Sequence, residues 1–139
     1  MTSQNCDLSN VPNLPLAALA TLMQAEADVD FAVLVGSQAH GMAHPGSDWD
    51  IALQWAAQVD WVTTLSRGES LRHRIADALG LPDTKIDLID LRRANLAMRA
   101  SVAEDGIPLS GDNTVQWVRF LRRTWRELED FYWDKQHAA

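Results

Sequence analysis

Val33-Leu-Val-Gly-Ser-Gln-Ala-His-Gly-Met-Ala-His-Pro-Gly-Ser-Asp-Trp-Asp-Ile-Ala-Leu53 is the stretch on which the reading of the whole chain turns. The apolar run Phe31 to Val35 predicts a buried strand, Gly36-Ser37 a tight turn offering backbone N–H groups, and Trp49 to Trp55 a second strand. That second strand begins at carboxylates. Side chains alternate along a strand, so Asp48 and Asp50 point the same way and Trp49 points opposite. The result is a pair of hard oxygen ligands beside a phosphate-sized nest, a natural place for Mg²⁺ with a nucleoside triphosphate. Neither half says much alone. A Gly-Ser after an apolar run is usually only a turn, and a lone Asp-x-Asp is usually a strand edge or a cap.

Together, at this spacing, Gly36-Ser37 and Asp48-x-Asp50 resemble the signature of the nucleotidyltransferase superfamily typified by DNA polymerase beta. The resemblance implies a third carboxylate on a neighbouring strand. Lys85-Ile-Asp-Leu-Ile-Asp-Leu91 reads as that strand, with Lys85, Asp87, Ile89 and Leu91 on one face and Ile86, Leu88 and Asp90 on the other. Only one of the two aspartates can face a metal. The family carries an apolar-Asp-apolar pattern here, which Ile86-Asp87-Leu88 matches, so Asp87 is the choice. Asp90 has a structural reading instead, as the cap of a helix over 92–104.

Composition sets the bounds. The chain has 139 residues, 47% hydrophobic and 22% charged, which fits one globular domain over 1–139 with no room for an appended substrate domain. No apolar run approaches the ~18 residues of a membrane span, and the start lacks the basic residues of a secretory signal. The lone Cys6 excludes an intramolecular disulfide and any cysteine metal cluster, so the expected compartment is the cytoplasm. Residues 1–60 hold seven acidic residues and no Lys or Arg, so the net charge of −7 belongs to the half bearing the motif. A nucleic-acid binder usually shows a basic footprint, so direct nucleic-acid binding is not expected.

Periodicity predicts an α/β (α+β) fold, a mixed sheet with flanking helices. A helix over Leu14 to Ala27 precedes strand 31–35; a short helix near Ser37 to Met42 and strand 49–55 follow. One or two helices fill Asp60 to Leu79, stopped by Gly80. Strand 85–91 leads into helix 92–104, closed by Gly106. A long helix over 113–135 ends the chain, with Val118, Leu121, Trp125, Leu128 and Tyr132 at steps of three and four. Its aromatics, Trp117, Trp125, Tyr132 and Trp133 among them, cover more than one stripe and suggest a face for a partner as well as for the core. Its arginines are balanced by nearby Glu and Asp, as on a solvated face.

Within the superfamily the chain most resembles the minimal MNT-type members that act as antitoxins to HEPN-domain ribonuclease toxins. The residues are Gly36-Ser37, Gly41, Ser47-Asp48-x-Asp50-Ile51 and Ile86-Asp87-Leu88-Ile89-Asp90-Leu91, spanning about 30–106. Many relatives have Arg where Gln38 or His40 stands. The resemblance implies transfer of AMP from ATP to a tyrosine of the partner toxin. Asp48 and Asp50 would hold one Mg²⁺, a second would be shared with Asp87, and Asp87 would be the base for the tyrosine proton. Gly36, Ser37 and the N–H groups after them would bind phosphates, helped by the N-terminus of a following helix. His40, His44, Arg67, Arg72, Arg74 and Lys85 are lesser candidates for phosphate contact. Two rivals stand: an antitoxin that acts by binding alone, and a nucleotidyltransferase acting on a small molecule. A Gly-x-Ser-x-Gly elbow and a P-loop are both missing, which gives hydrolase and ordinary NTPase chemistry no support.

Overall fold

The structure is a computed structural model and describes residues 14–138. Cys6 lies outside the described residues. In chain order the elements are α1 (Leu14–Gln24), β1 (Val29–Val35), β2 (Trp49–Trp55), α2 (Trp61–Leu79), a single 3₁₀ turn (Asp83–Lys85), β3 (Ile86–Asp90), α3 (Leu96–Asp105), β4 (Ile107–Ser110) and α4 (Val115–His137). The four strands form one sheet in the order β3-β2-β1-β4. β1 runs antiparallel to β2 and to β4, whereas β2 and β3 are parallel, so the sheet is mixed. The α+β fold is as expected.

Alternation along the strands decides which helix covers which face. Ala32, Leu34, Ile51 and Leu53 point to one side, where they pack with Leu19 and Met23 of α1 and Leu71 and Ile75 of α2. Phe31, Val33, Val35 and Ala52 point to the other, where Val102 of α3 and Phe120 of α4 close over them. Each fully buried Leu, Ile or Phe contributes about 1.5–3 kcal/mol relative to exposure. Sheet and helices thus make three layers, and Asp50 falls on the α3/α4 side.

Local chemistry fixes the helix ends. Asp60 caps α2 by accepting the Thr63 N–H at 2.8 Å, and Gly80 closes it in the left-handed conformation that spares a side chain strain. Residues 61–79 are therefore one helix. Asn95, not Asp90, caps α3, its Oδ1 accepting the Met98 N–H at 2.9 Å. The helix expected from residue 92 starts at Leu96, because Asp90 closes a turn instead: its Oδ1 accepts the Arg92 N–H and its C=O the Arg93 N–H.

Three further expectations are corrected. Ser37 to Gly41 forms hydrogen-bonded turns rather than a helix, with Ala39 and His40 both donating to the Gly36 C=O. α1 ends at Gln24, short of Ala27. β4 was not foreseen, since four residues containing Pro108 show no readable alternation; the proline is tolerated on this sheet-edge strand. Among the described residues no helix is long and apolar enough to cross a membrane.

Candidate active site

The parallel register of β2 and β3 sets Asp50 directly beside Asp87. Both carboxylates lie on the sheet face that α3 covers, since Ala52 and Ile89, two residues further on, pack into the core there. Asp48 stands just before β2, exposed and within electrostatic reach of Asp50. Burial first, then the negative charges of Asp87 and Asp48, raise the Asp50 carboxyl above its ordinary range. Three acids crowd one end of the sheet, and a cation there would relieve the repulsion.

Gly36 makes room for this cluster. It ends β1 at φ +77°, a conformation that disfavours other residues, and a Cβ there would collide with the Asp50 carboxylate oxygen. A cavity of about 280 Å³ opens beside it, lined by Val35, Gly36, His40, Asp50, Asp87, Ile89, Met98 and Ser101. The turn consumes the N–H groups of Ala39, His40 and Met42, whereas those of Ser37 and Gln38 find no protein acceptor among the described residues. The phosphate nest is therefore narrower than expected, and no helix N-terminus backs it.

The donor chemistry fits Mg²⁺ with a nucleotide. Among the described residues no three acidic, imidazole or thiol groups are gathered into a ready-made metal cage. Mg²⁺ does not require one, because it keeps several waters and binds through one or two carboxylates plus substrate phosphates.

The basic candidates are mostly spent elsewhere. Arg67 pairs with Asp28 and Glu26, and Arg74 with Glu26 at 2.5 Å. Arg72 holds Glu69 at 2.8 Å and donates to the Asp83 C=O at 2.6 Å. Lys85 is different. Its Nζ donates to the Gly46 C=O at 2.9 Å and stands 3.9 Å from Asp48, which ties the loop bearing Asp48 to the start of β3. His44 is structural, its Nδ1 accepting the Gly46 N–H in the same loop. His40 is brought to the cavity with Asp50 and Asp87, its Nε2 3.9 Å from Asp105. Met98 and Ser101 had not been singled out; their three-residue spacing on a helix places them on one stripe, the only signal available.

Two strands meeting at a cluster of carboxylates, under a glycine turn with free N–H groups, form the frame of a nucleotidyl-transfer site. Residues 18–114 match the family of polymerase beta nucleotidyltransferases, and the chain belongs to that family. No curated protein matches the sequence significantly.

Among solved structures, a chain from a toxin-antitoxin crystallised with AMP-PNP is 26% identical with a TM-score of 0.66, over 87% of this chain and 92% of that one. A chain from a mutant of the toxin-antitoxin MntA-HpeT is 28% identical with a TM-score of 0.60, over 83% and 85%. A chain from the complex of tri-AMPylated Shewanella oneidensis HEPN toxin with MNT antitoxin is 23% identical with a TM-score of 0.62, over 91% and 93%. At that identity the likeness concerns the fold.

Proposed function

We propose that this nucleotidyltransferase is an antitoxin that transfers AMP from ATP to a tyrosine of a HEPN-family toxin and so silences it. The observation that carries the chemistry is the side-by-side placement of Asp50 and Asp87 under Gly36. The structures of similar fold point to the partner: one complex holds an ATP analogue, and another an AMPylated HEPN toxin with its MNT antitoxin.

The residues divide the work. Asp48, Asp50 and Asp87 would hold Mg²⁺, which when bound supplies charge neutralisation at the triphosphate and lowers the pKa of the attacking hydroxyl. Ser37, with its N–H and that of Gln38, binds phosphate oxygens from the turn. Asp87, exposed at the strand edge, accepts the proton of the tyrosine hydroxyl. The tyrosine oxygen then bonds to the α-phosphorus, the bond from that phosphorus to the bridging oxygen breaks, and pyrophosphate leaves. The acidic character of this end of the sheet, which Lys85 beside Asp48 offsets only in part, suits a metal-bound nucleotide and not a bare nucleic acid.

The test is incubation of the chain with Mg²⁺, its toxin, and ATP labelled at either the α- or the γ-phosphate. Label should pass to the toxin from the α position alone. Transfer of γ label, or none, refutes adenylyl transfer.

A further inference from the structure

Among the described residues β3 is an edge strand whose one sheet partner is β2. In a parallel ladder each residue turns its N–H and C=O to the same side, and successive residues alternate. The Leu91 N–H donates to the Leu53 C=O at 2.9 Å, so Asp87, Ile89 and Leu91 face β2, whereas Ile86, Leu88 and Asp90 face outward. On that outer edge the Ile86 N–H is taken by the Asp83 C=O, and the Asp90 C=O by the Arg93 N–H. The N–H and C=O of Leu88, the C=O of Ile86 and the N–H of Asp90 have no protein partner among the described residues. Proteins ordinarily cover or blunt such an edge.

Beside it runs a trough of about 440 Å³, walled on one side by β3 and on the other by α2. Trp61, Leu65, Gly68 and Arg72 follow one another along the helix at steps of three and four, so one stripe of α2 faces the edge. Trp61 and Leu65 are 45% and 52% exposed; the Arg93 guanidinium stacks on the Trp61 ring, 3.5 Å from its centroid, and Leu65 stands as an open apolar wall. Asp87 lines both the trough and the cavity shared with Asp50.

We infer that this trough seats an extended segment of the acceptor protein, added to the sheet as a strand antiparallel to β3; the inference rests on the reading that a protein hydroxyl is the acceptor. An antiparallel partner is the one whose single residue, opposite Leu88, satisfies both of that residue's free groups. The next residue then stands opposite Asp87 in a non-hydrogen-bonded pair, with Cα atoms ~4.5 Å apart. Directly opposed residues share a face of the sheet, so its side chain is delivered to the Asp50–Asp87 side. The alternate side chains fall on the α2 side, over Trp61 and Leu65. Charge complementarity points the same way. Arg72 pairs with Glu69 and is within electrostatic reach of Asp87, and Arg93 over Trp61 adds a second positive charge; against Glu69, Asp87 and Asp90 these leave one surplus negative charge along the edge, which favours an acceptor segment with a basic flank.

The test uses the chain in complex with its HEPN-family toxin. Amide hydrogen exchange at Leu88 and Asp90 should slow by at least about tenfold when the complex forms. Leu65→Arg fills the trough from an exposed position; it should leave ATP affinity unchanged and lower kcat/KM for toxin modification about tenfold, mainly through KM. Leu88→Pro removes an outward N–H, which an edge strand tolerates, together with a side chain partly packed against the core, and should act likewise; if it fails to fold, Leu65→Arg decides. Unchanged exchange in a complex that forms, wild-type modification by Leu65→Arg, or a dimer of the isolated chain that protects the same amides would each overturn the inference. Protection of the edge without any AMP transfer would uphold the docking surface and refute the transfer reaction.

Discussion

Asp50 on β2 and Asp87 on β3 are cross-strand neighbours in the parallel part of the sheet, and the Asp50 carboxyl is raised chiefly by burial and next by Asp87. Such crowding of carboxylates costs stability, and a cation bound between them would offset it, which is the basis on which the pair is proposed to bind Mg²⁺.

The first expectation follows from that repulsion. A carboxyl whose pKa is raised by folding stabilises the fold below its unfolded value, 3.8 for Asp50, and loses that contribution as pH rises through the folded value. At neutral pH, Asp50→Asn should therefore raise the Tm of the metal-free chain, and the gain should vanish near pH 3. The double variant Asp48→Asn with Asp50→Asn should lose at least about a hundredfold in nucleotidyl transfer. Calorimetry across pH and a transfer assay check both statements.

Asp87 and Asp90 should separate cleanly. Asp87→Asn should lower transfer by about two orders of magnitude or more with little change in ATP affinity. Asp90→Asn keeps an oxygen for the Arg92 N–H, so its stability cost should stay within about 0.5 kcal/mol and its activity near wild type. The opposite pattern in steady-state assays would reassign the third carboxylate.

α3 and α4 are clasped by one ion pair. The buried Arg99 guanidinium meets Glu127 at 2.7 Å, and this contact holds the Glu127 carboxyl below its usual range. Glu127→Ala should destabilise by about 1–3 kcal/mol, because it strands a buried cation. Since the Glu127 pKa is lowered, the pair's contribution is full above the unfolded value, 4.5, and is lost as pH falls through the folded one. Chemical denaturation at neutral pH and near pH 3 measures it.

The aromatics of α4 divide into two groups. Trp117 stacks with Phe120 and meets Phe31 edge-on at 4.9 Å, so it belongs to the core and not to a free face. Trp117→Ala should cost about 3 kcal/mol of stability. Tyr132 and Trp133 are both 59% exposed. Replacing either by Ala should leave the Tm unchanged and, where it is a contact centre for the toxin, weaken binding by ~2 kcal/mol, as titration calorimetry would show.

Much of this was legible from residue order because it depended on period two. The faces of β2 and β3 follow from alternation once the strands are recognised, and the parallel pairing then sets Asp50 beside Asp87; Asp48 precedes β2, where alternation does not decide its direction. Gly36 was legible as a turn, but its second role, leaving space for the Asp50 carboxylate, required the neighbouring strand. Two errors share a cause. Asp90 and Asn95 are both capable caps, and which one starts α3 depends on where the chain leaves the sheet edge. Ser37 to Gly41 looked helical because nothing local reveals that Ala39 and His40 would share the Gly36 carbonyl. β4 is set by pairing with β1 alone, a tertiary effect that four residues cannot announce.

Intact mass spectrometry of the HEPN-family toxin after incubation with this chain, ATP and Mg²⁺ tests the central claim most directly. The expected result is a toxin heavier by whole AMP units, attached at tyrosine, with no such addition when Asp87→Asn replaces the wild type. A toxin that is silenced at unchanged mass would contradict the account and leave an antitoxin that acts by binding alone.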